Sequence, residues 1–132
     1  MSGLTHLIAL LKRADGPSRD LDYRLAHAVG HPSRVPLELL PHLMEGSKAA
    51  KAVPLFTASL DAAVTLVPEG WEWSVRLSPH GHFEAYHARK WESGSDRSEA
   101  PTAALALCLA ALRAREADET LSVPTPTQDT TP

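Results

Sequence analysis

At 132 residues the chain has room for one domain with an apolar core of useful size. Its single cysteine, Cys108, excludes an intrachain disulfide framework, and the longest strongly apolar run, Ala103 to Leu112, is about half of what a membrane span needs. The net charge of -3 falls on the segment 117–132, which holds Asp118, Glu119 and Asp129 and no Lys or Arg. The remaining body is neutral, which argues against broad electrostatic binding to DNA or RNA.

Leu4, Leu7, Ile8 and Leu11 recur at helical spacing, so a first helix is expected over Leu4 to Arg13, ended by Gly16-Pro17. Ser18 reads as the N-cap of a second, with Asp20 and Asp22 near its positive first turn and Leu21, Leu25, Ala28 and Val29 on one face. Gly30 and Pro32 stop it. From His31 to Phe56 four prolines break the pattern, which predicts a long loop with about one helical turn near Leu37 to Met44. Within it, Val53 to Phe56 is an alternative edge strand, where Pro54 is tolerated. Thr57 or Ser59 caps a third helix, Leu60 to Val67.

The period then changes to two. Trp71, Trp73, Val75 and Leu77 alternate with Glu72, Ser74, Arg76 and Ser78, the pattern of a half-buried strand. Pro79-His80-Gly81 fits a three-residue hairpin loop and pairs Leu77 with Phe83, Val75 with Ala85, Trp73 with His87 and Trp71 with Arg89. The same register opposes Arg76 to Glu84, whereas a one-residue slip would oppose Leu77 to Glu84. Glu92 to Ala100 is polar and reads as a loop. The last helix, Thr102 to Arg115, is apolar around nearly its whole circumference, so it must lie between layers or at an oligomer interface. Residues 117–132 read as a disordered tail rich in Pro and Thr, after a single globular domain over 1–116. The expected fold class is α+β: a layered sandwich with an antiparallel β-hairpin packed against helices.

Each candidate for chemistry has a plainer explanation. His27 and His31 stand four apart, as zinc-binding histidines on a helix do, but Gly30 ends the helix between them. His80, His82 and His87 cluster around the hairpin, and His82 and His87, five apart, point to opposite strand faces. Cys108 has no basic neighbour in adjacent turns to activate it. Trp71 and Trp73 share the inward face and read as core, which leaves Trp91 as the exposed aromatic. No nucleophile elbow, phosphate-binding glycine loop or dinucleotide fingerprint occurs. No catalytic residue, metal or cofactor is therefore assigned, and Trp91, His80, His82 and His87 stand as candidate contact residues.

Three stretches carry a family resemblance: Gly16-Pro17-Ser18-Arg19-Asp20-Leu21-Asp22, Phe56-Thr57-Ala58-Ser59-Leu60-Asp61-Ala62-Ala63 with Leu66-Val67-Pro68-Glu69-Gly70-Trp71, and the Ala/Leu run from Ala100 to Ala114. In word order and spacing the chain resembles the phage-associated ABA sandwich family, small proteins of phages and prophages, over roughly Leu11 to Arg115, with the middle loop matching poorly. The resemblance implies a sheet between helical layers and a phage or prophage setting; it carries over no site residue. The expectation is a small accessory protein, not an enzyme, in the cytoplasm of a bacterial host. It would bind a host or phage protein, with a defence complex as one target and a homo-oligomer as another arrangement. Binding of, or catalysis on, a small molecule or nucleotide is the alternative.

Overall fold

The computed structural model describes residues 4–34, 36–42, 44, 47–89 and 96–122. In chain order these form α1 (Leu4–Arg13), α2 (Arg19–Ala28), a 3₁₀ helix (Leu37–His42), α3 (Lys48–Ala52), α4 (Leu60–Val64), β1 (Trp71–Leu77), β2 (Phe83–Arg89), β3 (Asp96–Ala100) and α5 (Ala103–Ser122). The three strands make one antiparallel sheet in the order β1-β2-β3. The fold is α+β, with the sheet packed against helices.

The helix ends follow from local chemistry. Ser18, Ser47 and Ser59 each accept a backbone N–H three residues on, satisfying a donor that the first turn leaves open. At the end of α2 the chain turns through Gly30 at φ 69°, where His31 N–H donates to Ala26 and Gly30 N–H to His27, the paired bonds of a Schellman stop. α4 is shorter than expected because Leu66 and Val67 donate three residues back instead of four, tightening 65–67 into turns.

α5 explains the layering. Its residues Leu105, Ala106, Leu107, Cys108, Ala110 and Leu112 are all buried, because one side faces the sheet and the other faces α1 and α4. The order is therefore sheet, central helix, outer helices. Among the described residues no helix covers the second face of the sheet, so the sheet-between-helices arrangement implied by the family resemblance is not formed by them.

Three expectations are corrected. Val53 to Phe56 is not a strand, because its backbone is already engaged. The Arg19 guanidinium donates to the carbonyls of Ala50, Val53 and Pro54, the Cys108 thiol to that of Phe56, and Thr57 N–H donates to Asp22. The sheet instead gains its third strand from Asp96–Ala100, read above as loop: its inward residues Ser98 and Ala100 are small and buried, and its outward ones are charged. Finally, α5 does not stop at Arg115 but runs to Ser122, six residues further than the tail boundary at 117 allows for. Asp118 on that extension accepts from Trp71 Nε1 at 3.2 Å and pairs with Arg89 Nη2 at 3.0 Å. The rest of the tail, 123–132, lies outside the described residues.

Candidate functional site

The hairpin forms in the expected register from Trp71 opposite Arg89 to Leu77 opposite Phe83. Ser78 N–H donates to the His82 carbonyl at 2.7 Å, Gly81 N–H donates to the Ser78 carbonyl, and Gly81 takes φ 89°. That is a type I turn closed by a left-handed bulge, and it fixes which side chains share a face.

The inner face carries Ala85, His87, Ser98 and Ala100, all buried, and Arg113 of α5 reaches across to Ser98 Oγ at 3.0 Å. β1 overhangs the edge of this layer. Trp73 and Leu77, expected in the core, are 40% and 61% exposed, since α5 sits over β2 and β3 more than over β1.

The outer face is the one that no helix among the described residues covers, and its centre is Glu84. β3 places Glu99 directly opposite Glu84, a like-charge pair that would be destabilising alone. Cations relieve it: Arg76 Nε donates to Glu84 at 2.9 Å, Arg97 pairs with both glutamates at 3.5 and 3.2 Å, and Tyr86 OH donates to Glu84 at 3.1 Å. These partners wrap Glu84, which is buried although no helix among the described residues lies over it. The hydrogen bond from Arg76 is the main reason the Glu84 carboxyl is held below its ordinary value, against the opposing effect of desolvation. The same bond raises the Arg76 guanidinium further above its already high value. The Arg76 guanidinium also lies 5.5 Å from the Tyr86 ring. A groove of about 820 Å³ runs along β1, lined by Glu72, Ser74, Arg76, Tyr86 and Ala88 of the outer face and by Trp71, Trp73 and His87, whose side chains belong to the inner one.

The histidines divide between these two faces. His82 sits on the outer side, with Nε2 3.3 Å from Glu99 Oε1 but without the alignment of a hydrogen bond, and 3.9 Å from Glu84. His80, exposed in the turn, stacks its ring on that of His82 at 6.4 Å. His87 faces inward, tilted against Trp71, with Nδ1 buried and unbonded and Nε2 3.9 Å from Asp96. Burial pushes the His87 pKa down, Asp96 opposing and Arg113 adding to the effect. The structure thus unites His80 with His82 and separates both from His87; Trp91 lies outside the described residues. His27 is exposed on α2, while His31 turns away past Gly30 to pack edge-on against Phe56.

His82, Glu84 and Glu99 have donor atoms within 4.8 Å of one another, a grouping that could hold a cation. Its two carboxylates already face Arg76 and Arg97, so their charge is balanced from within the sheet. Elsewhere, ionisable groups serve the fold. Asp22 is buried and bonded to Thr57 and Arg19; burial raises the Cys108 thiol far from its reactive range and lowers Arg115, whose Nε donates to the Leu66 carbonyl. Sequence reasoning missed Arg97 and Glu99, the β3 half of the outer cluster. The available signal was the alternation of small and charged residues in Asp96-Arg97-Ser98-Glu99-Ala100, a pattern suited to a protected sheet edge.

No protein-family model, curated protein or solved structure matches this chain. No helix among the described residues is long and apolar enough to cross a membrane.

Proposed function

We propose that this is a non-enzymatic accessory protein that binds another protein on its outer sheet face. The observation that carries the reading is the three-stranded face that no helix among the described residues covers, where Arg76, Tyr86 and Arg97 surround a buried carboxylate beside an open groove. Tyr and Arg are the residue types that protein interfaces favour, and here ion pairs hold them in place before any partner arrives. The groove is an open surface, which suits a macromolecule better than the enclosed concavity typical of small-ligand sites. The resemblance to phage and prophage proteins supplies the setting: a bacterial host cytoplasm and a phage or host partner, with a defence complex as one target.

The test is affinity capture from host lysate with the full chain and with a Tyr86→Ala/Arg97→Ala variant. The expected result is a partner retained by the first and lost by the second. Capture equal in both, or none above background across plausible hosts, refutes the reading. A thermal-shift panel of nucleotides and metal ions addresses the small-molecule alternative, for which a flat response is expected.

A further inference from the structure

β1 has β2 on one side, and no strand pairs with its other edge among the described residues. The 2.7 Å bond from Ser78 N–H to His82 sets the parity of the strand: Ser78, Arg76, Ser74 and Glu72 turn their backbone groups toward β2. Trp71, Trp73, Val75 and Leu77 therefore turn theirs outward. An edge seven residues long, with a half-exposed Trp73 and a largely exposed Leu77, is a template for another strand.

We infer that the occupant of this edge is a second copy of the same chain, its β1 paired antiparallel with the first across a two-fold axis at Ser74. The sequence of β1 is complementary to its own reverse about that residue. Glu72 meets the second copy's Arg76 on the outer face, while Trp73 meets Val75 and Trp71 meets Leu77 on the inner face. Glu72 is exposed and has no ion pair among the described residues, and Arg76 is 63% exposed beyond its bond to Glu84. The backbone selects the same register. With the axis at Ser74, all four outward residues face outward residues of the second copy, giving about eight hydrogen bonds at two per facing pair. Moving the axis to Trp73 or Val75 leaves about six and sets Glu72 or Arg76 against a serine. Moving it to Glu72 or Arg76 opposes identical charges. The product is an isologous dimer with a continuous sheet of double width, which places two copies of the outer face side by side.

The register makes a sharp test. Ser74 faces itself in a pair without backbone hydrogen bonds, where Cα atoms stand about 4.5 Å apart, within disulfide reach. In the full chain, Ser74→Cys should cross-link into a covalent dimer under mild oxidation, while Glu72→Cys and Arg76→Cys, each facing the other position, should not. Sedimentation should show mass rising from monomer to dimer over about a hundredfold range of concentration. Glu72→Arg, which opposes like charges across the axis and leaves the Arg76–Glu84 pair in place, should stay monomeric with unchanged circular dichroism. A monomer at every concentration, or equal cross-linking at all three positions, overturns the inference, as does a Ser74→Cys thiol shielded by the chain's own segments. A monomer that still captures a partner through Tyr86 and Arg97 would overturn the dimer and leave the binding reading standing.

Discussion

Asp22 ties α2 to the start of the segment leading into α4, and its removal should be costly. The carboxylate is 1% exposed; it accepts Thr57 N–H and Thr57 Oγ1 at 2.8 Å each and Arg19 Nη1 at 2.7 Å. In Asp22→Ala the Thr57 hydroxyl can still donate to the Ser18 carbonyl, 3.1 Å away, so its loss is partly repaired. Thr57 N–H has no such alternative, and an orphaned buried donor costs about 1–3 kcal/mol. Arg19 keeps its three carbonyl partners but loses its counter-charge, and breaking a buried pair costs about 3–5 kcal/mol altogether. Because Arg19 is one-third exposed, the lower half of that range, about 3–4 kcal/mol, is expected. With an m-value of about 1.5–2 kcal/mol/M, the urea midpoint should fall by about 2 M. Asp22→Asn retains an acceptor for Thr57 and should lose about 2 kcal/mol. Equilibrium unfolding followed by tryptophan fluorescence measures both. A cost below about 1 kcal/mol for Asp22→Ala, or equal costs for the two variants, would show that the carboxylate is not the tie described.

Three further outcomes follow from the core and its margins. Leu112→Ala, at a fully buried position of α5, should destabilise by about 3–5 kcal/mol in the same assay. Cys108 should resist thiol reagents in the native protein and react only as fast as the protein opens, because its sulfur is buried, its pKa is raised, and it donates to the Phe56 carbonyl. His87 has its pKa lowered by burial, so the unfolded chain binds its proton more tightly than the native one. Stability should therefore be intact above about pH 6.5, the ordinary histidine value, and decline as the pH falls below it. A His87→Gln variant should show a shallower decline in urea titrations at a series of pH values.

The parts legible in the sequence are those where local chemistry and tertiary demand agree. α1 and α2 have apolar stripes and punctuated ends, and the hairpin has both Gly81 and the Arg76–Glu84 pair to fix its register. The illegible parts are those where a distant partner decides. β3 has no large apolar residue to mark it, and only its packing against α5 shows that the small Ser98 and Ala100 are buried. The last turns of α5 resemble a solvated tail until Trp71 and Arg89 are seen to hold Asp118. Asp20 and Asp22 look alike as first-turn acids, yet Asp20 is exposed and paired with Arg24 while Asp22 is buried against Thr57. For the outer face, the sequence contained Arg76, Glu84 and His82, but not the knowledge that Arg97 and Glu99 would stand beside them.

The position of α5 between the sheet and the outer helices also governs when the fold can exist. Every other layer packs on this helix, yet it follows all of them in the chain. During synthesis α1, α4 and the hairpin emerge with the faces that pack on α5 uncovered, and these stay uncovered until the ribosome has released Leu105 through Leu112. The nascent chain should behave as a collection of unassembled parts and then collapse in one late step. A ribosome stalled before Ala103 would therefore expose a chain that chaperones bind, whereas the chain released from the ribosome would carry a folded domain.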